Sequence, residues 1–123
     1  MVRTSLISIV DDDVSLRESL PDLLKELGFA VHTFSSGEEF LASDSVLETN
    51  CLILDIAMPG MSGPDVQREL KLRGQRIPIV FVTGQGDASV RHRLIEQGAV
   101  ECLFKPFTEE ALIGAVNAAF GVG

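Results

Sequence analysis

Five short apolar runs, each followed by one helix-like segment, restrict this chain to very few architectures. The runs cover residues 6–10, 30–34, 51–55, 78–83 and 101–105. Apolar runs of this length between turn residues read as buried strands. The fourth, Pro-Ile-Val-Phe-Val-Thr, is the most β-like, because β-branched and aromatic side chains suit a pleated surface. Between the first two runs, Leu16, Leu20, Leu23, Leu24 and Leu27 form a helical stripe closed by Gly28. Pro21 lies inside that stripe and is expected to kink the helix or remove one hydrogen bond. Ser36 and Glu39 fit a capping box opening a second helix, with Phe40 and Leu41 inward. Residues 44–50 read as a loop. A third helix starts at Ser62, carries Val66 and Leu70 and stops at Gly74. Asp87 caps a fourth helix that runs to Gln97, and Thr108 opens a fifth with Leu112, Ile113, Val116 and Phe120 inward.

Strands joined by single helices give right-handed crossovers and a parallel sheet. Runs three to five are continuously apolar, as expected where helices cover both faces of the sheet. A length of 123 residues supports one domain with one core. No apolar run approaches the ~18 residues of a membrane span. The N-terminus has one basic residue, a short apolar stretch and acidic residues directly after it, unlike a signal peptide, so a cytoplasmic location is expected. Cys51 and Cys102 lack metal-ligand spacing and read as buried thiols. The formal net charge of −8 argues against direct nucleic-acid binding, which needs a basic surface.

The carboxyl ends of the runs carry the chemistry. The first delivers Asp11 and Asp12, the third Asp55, the fourth Thr83 and the fifth Lys105. With the first strand central, in order 2-1-3-4-5, these residues share one sheet edge, where ligands bind in open α/β folds. Three carboxylates there repel one another and raise at least one pKa. A hard divalent cation relieves that repulsion, and Mg²⁺ takes a few such oxygens while keeping sites for water or phosphate. Asp55 is then a carboxylate nucleophile able to accept a phosphoryl group. The Lys105 ammonium and the Thr83 hydroxyl are placed to stabilise phosphate oxygens. Asp13 is expected to cap the first helix. His32 and His92 have no ligand partners and read as structural or solvated. Arg91, His92 and Arg93 make a small basic patch, either a solvated face or a partner surface.

The motifs Val10-Asp11-Asp12, Leu54-Asp55-Ile-Ala57-Met-Pro-Gly-Met-Ser-Gly63, Val82-Thr83-Gly84 and Lys105-Pro106-Phe107 occur in order along the chain. In this it resembles the receiver domain of bacterial two-component response regulators over nearly its full length. Details such as Arg17-Glu-Ser-Leu20 and Leu103-Phe-Lys-Pro-Phe107 are similar to the nitrogen-fixation and nitrate-type branch. The resemblance implies a flavodoxin-like three-layer α/β/α sandwich around a five-stranded parallel sheet. It implies that Asp12 ligates Mg²⁺ directly, Asp11 mainly through water, Asp55 by one oxygen and Ala57 by its backbone carbonyl. It also implies a cis Lys105–Pro106 bond. The donor would be a sensor histidine kinase or a phosphotransfer protein. A downstream effector or a second copy would read the face made by the fourth helix, fifth strand and fifth helix. No membrane partner is expected. Such a domain is a phosphoacceptor that assists its own phosphorylation and dephosphorylation, not an enzyme acting on a separate substrate. The helix-turn-helix domain that usually follows in that branch is absent from the chain, so residues 1–123 are expected to be receiver alone.

Two departures stand out. Most receivers have Tyr or Phe three residues before the lysine, where this chain has Cys102, with Phe104 on the same side of the strand. The positions flanking the entrance for water carry the uncharged Ala57 and Gln85, so the lifetime of the acyl phosphate is expected to differ from receivers with charges there. Two other functions fit parts of the pattern. One is a docking module that is never phosphorylated. The other is a haloacid-dehalogenase-like phosphatase using Asp11 in Asp11-Asp12-Asp13-Val14, although only Glu109 and Glu110 follow Lys105 as acids.

Overall fold

A computed structural model describes residues 4–84 and 86–121. Its strands are β1 (Leu6–Val10), β2 (Ala30–Phe34), β3 (Cys51–Asp55), β4 (Ile79–Thr83) and β5 (Glu101–Phe104). All neighbours pair in parallel, in the order β2-β1-β3-β4-β5. The helices are α1 (Val14–Glu26), α2 (Gly37–Leu41), α3 (Ser45–Glu48), α4 (Gly63–Leu72), α5 (Ala88–Glu96) and α6 (Glu109–Ala119).

Strand alternation sorts the apolar side chains into two cores. Ile7, Ile9, Ile53, Val80 and Val82 meet Leu16, Leu20 and Leu24 of α1 and Leu112 and Val116 of α6. Val10, Leu52, Leu54 and Phe81 face the other way, onto Phe40, Val66, Leu70 and Leu94. Each fully buried Leu, Ile or Phe contributes about 1.5–3 kcal/mol, so both helical layers are fastened to the sheet. β3 is buried on both faces. By alternation Asp11 and Asp55 continue the side that packs on α1 and α6.

The structure corrects several sequence expectations. Residues 44–50 are not a plain loop, because α3 forms one helical turn there. A single turn is too short to show a periodic pattern. Tertiary hydrogen bonds anchor it: Ser8 Oγ meets Thr49 Oγ1 at 2.7 Å, and Thr49 Oγ1 donates to the Ser45 carbonyl at 2.6 Å. Pro21 is no correction: α1 runs through it as expected, and its missing N–H leaves the Arg17 carbonyl without its usual helical donor. Leu27 is the C-cap of α1 and is exposed, outside the stripe. The box at Ser36 is only half made: its hydroxyl accepts from Glu39 N, while the Glu39 carboxylate takes the Ser35 hydroxyl. The reciprocal box is at Ser62 and Asp65, with bonds of 3.2 and 3.0 Å. Lys105 falls just after β5 rather than within it. His92 has an acidic neighbour after all, an exposed 2.9 Å contact with Glu96.

Gly63 lets α4 begin directly beneath the end of β3. A Cβ there would overlap the Asp55 carbonyl oxygen and lie 3.0 Å from both Ile56 Cα and Phe81 Cε1. Two of these three neighbours are backbone and cannot rotate away. Gly63→Ala is expected to cost about 2–3 kcal/mol, in the range of overpacking a rigid site. Urea unfolding would read this as a lower midpoint with an unchanged slope. A midpoint equal to that of the parent chain would mean the β3–α4 turn yields.

Candidate functional site

Parallel pairing brings the ends of β1, β3 and β4 to one level. Val10 is in register with Leu54, and Asp55 with Val82. Asp11, Asp12 and Asp55 therefore converge, each offering a carboxylate oxygen within 4.8 Å of the others. Asp11 is fully buried, Asp55 nearly so, and Asp12 is exposed. Lys105 enters from the end of the edge strand β5, just before a cis Lys105–Pro106 bond. Its Nζ donates to Asp11 Oδ2 at 2.8 Å and lies 4.0 Å from Asp55 Oδ2. The lysine expected to meet phosphate thus pairs first with Asp11. Thr83 is buried at the end of β4, where its carbonyl accepts from Lys105 N at 2.7 Å. Ala57 lies two residues beyond Asp55, exposed in the turn before α4. Gln85 lies outside the described residues.

Three carboxylates face one ammonium, and the electrostatics follow from that. Burial pushes the Asp55 carboxyl up, the Asp11 charge pushes it further, Lys105 pulls it back, and the outcome is about 7 against an ordinary 3.8. For Lys105, burial works against the ammonium, but the hydrogen bond and charge of Asp11 and the charge of Asp55 outweigh it and raise its pKa. A donor set of closely spaced carboxylate oxygens, whose burial and mutual repulsion a cation would offset, suits a hard divalent cation. The thiols take no part: burial pushes Cys51 up to about 12 and raises Cys102 as well.

Asp13 caps α1 as expected, accepting from Ser15 N at 2.9 Å. Asp87 and Thr108 likewise cap α5 and α6. Cys102 is buried, whereas Phe104, the register partner of Thr83, is about one-third exposed. The Phe104 ring reaches to 3.2 Å from the point where Gly86 would carry a Cβ. Arg91 of the basic patch pairs with Glu101 on β5 at 2.8 Å. Sequence reasoning missed Arg17, whose guanidinium donates to the Asp11 carbonyl at 2.8 Å. The signal was present as a basic residue one turn into α1, four positions after the last of three aspartates.

A family model described as the response regulator receiver domain matches residues 7–117. The response regulator protein TodT of Pseudomonas putida is 47% identical over 117 residues, covering 95% of this chain and 52% of TodT. The transcriptional regulatory protein FixJ of Azorhizobium caulinodans is 37% identical over 115 residues, covering 94% of this chain and 54% of FixJ. Among solved structures, that of the response regulator StyR superposes with a TM-score of 0.87 at 41% identity, over 98% of this chain and 61% of StyR. The chain spans about half the length of the curated relatives TodT and FixJ.

Proposed function

Since the chain belongs to the response regulator receiver family, we propose that Asp55 is its phosphoacceptor and that Asp11, Asp12, Asp55 and the Ala57 carbonyl hold Mg²⁺. The observation that carries this is the convergence of three carboxylates and Lys105 on the end of a strand buried on both faces. Asp55 is the carboxylate with work to do. Asp11 is fully buried and each of its polar atoms already has a partner, so it is a poor nucleophile. That disfavours the phosphatase that would use Asp11.

In the transfer, an Asp55 carboxylate oxygen attacks phosphorus, a P–O bond forms, and the P–N bond of the donor phosphohistidine breaks. Little covalent work falls to the protein, so positioning and charge stabilisation dominate. Bound Mg²⁺ supplies positive charge at the phosphate oxygens. Lys105 is near enough to Asp55 to turn from Asp11 towards a phosphoryl group, and Thr83 ends the neighbouring strand with a hydroxyl donor. The donor is a sensor histidine kinase or a phosphotransfer protein, and the site of action is cytoplasmic. The domain assists its own phosphorylation and dephosphorylation. The readers are an effector or a second copy at the face of α5, β5 and α6. Differential stabilisation of phosphate in two conformations supplies the switch.

Incubation with Mg²⁺ and a small phosphodonor, followed by intact-mass measurement, is the direct test. One added phosphoryl group is expected, located on Asp55 by peptide mapping. An unchanged mass would make the domain a docking module, and label on Asp11 would revive the phosphatase.

A further inference from the structure

Asp11 is fixed by four contacts from four directions. Its N–H donates to the Phe34 carbonyl at 3.1 Å, its Oδ1 accepts from Asp13 N at 2.9 Å, and its Oδ2 accepts from Lys105 at 2.8 Å. The fourth is the Arg17 guanidinium on its main-chain oxygen, at 2.8 Å. That oxygen belongs to the peptide joining Asp11 to Asp12, so holding it fixes the plane from which the Asp12 side chain departs. Asp12 is exposed, and the contact its carboxylate makes is with another acid, the hydrogen bond it shares with Asp55.

The choice of partner is informative. Arg17 lies near three aspartates, yet among the described residues it makes no ion pair within 4.0 Å and spends a donor on a neutral carbonyl. A residue placed to neutralise charge would take a carboxylate, for which the guanidinium fork is suited. A residue placed to fix backbone takes what Arg17 takes. Its own N–H bonds the Asp13 carbonyl at 3.2 Å, so the arm reaches back across the first turn of α1 to its anchor.

We propose that Arg17 is a positioning residue of the cation site, clamping the Asp11–Asp12 peptide so that the Asp12 carboxylate stands beside those of Asp11 and Asp55. This rests on the reading of those three residues as a Mg²⁺ site. Groups that orient ligands commonly set metal affinity without touching the metal.

The sign of the effect separates this role from simple charge. Arg17 is itself a cation near a cation site, so by Coulomb's law alone its removal would tighten Mg²⁺ binding. As a clamp, its removal loosens binding. Calorimetric Mg²⁺ titration of the parent chain, Arg17→Met and Arg17→Lys would decide. Arg17 is partly exposed on α1, and Met keeps its apolar stem, so folding should survive. Arg17→Met is expected to weaken Mg²⁺ binding about tenfold. Arg17→Lys keeps the charge and one donor and should fall between the two. Arg17→Met binding Mg²⁺ as tightly as the parent, or more tightly, overturns the assignment, as does a lysine variant no better than methionine. If the parent chain binds no Mg²⁺, the metal-site reading itself fails and the clamp goes with it.

Discussion

Asp55→Asn is expected to abolish phosphoryl uptake and, in the metal-free protein at neutral pH, to raise stability. The first effect follows from loss of the nucleophilic oxygen. The second follows from linkage. The Asp55 carboxyl sits at about 7 in the folded protein against an ordinary 3.8. Between those values the native state holds a proton that the unfolded chain has released, so stability falls as pH rises through the window. Below about 4 both states are protonated and Asp55 contributes nothing to the pH dependence. Asparagine removes the penalty. The gain is on the order of 2 kcal/mol above pH 7, about half the unscreened value because water partly screens the site, and it vanishes towards pH 4. Thermal unfolding of both proteins across that range, without divalent ions, would show two curves that meet at acid pH and separate at neutral pH. Parallel curves would mean that Asp55 carries no such strain. Saturating Mg²⁺ should narrow the gap by stabilising the parent more than the variant.

Lys105→Met should act in the opposite direction. Among the described residues, it strips the one ammonium at a site with three carboxylates and leaves fully buried Asp11 with the Asp13 N–H on its carboxylate. Removing one partner of a buried ion pair leaves an uncompensated charge, at a cost of about 3 kcal/mol. Mg²⁺ should recover part of this loss by replacing the missing positive charge. Phosphoryl uptake should slow on the order of a hundredfold, the usual consequence of deleting one preorganised charge at a developing anion. Chemical unfolding with and without Mg²⁺, together with time-resolved mass measurement, would check both. A variant as stable as the parent in the absence of Mg²⁺ would show that Asp11 simply takes up a proton when the lysine is lost. The contrast between the two variants matters more than either alone. One cluster gains stability by losing an acid and loses it by losing a base, which is the signature of a site built for a charge it does not itself carry.

Much of this was legible in the chain. The five strands, their parallel sense and the caps Asp13, Asp87 and Thr108 follow from local pattern, because pleat, helix period and capping each act within a few residues. The convergence of Asp11, Asp55, Thr83 and Lys105 could be placed on one sheet edge, because each ends a strand and parallel strands end on the same side. What escaped had more than one physical cause. The turn α3 is held by Ser8 from β1 through Thr49. The true capping box at Ser62 used Asp65, where the pattern sought calls for Glu or Gln. The clamp by Arg17 depends on where a long side chain folds back, and residue spacing alone does not give that.

By itself the sequence determined which residues could do chemistry here and on which edge they would lie, since strand ends and alternation are local properties. Only the tertiary structure decided how they share their charges. It put Lys105 on Asp11 rather than on Asp55, buried Asp55 next to a second carboxylate and raised its pKa to about 7. Those outcomes depend on distances between strands far apart in the chain and on how much water the two helical layers exclude. Coulomb energies change severalfold with both.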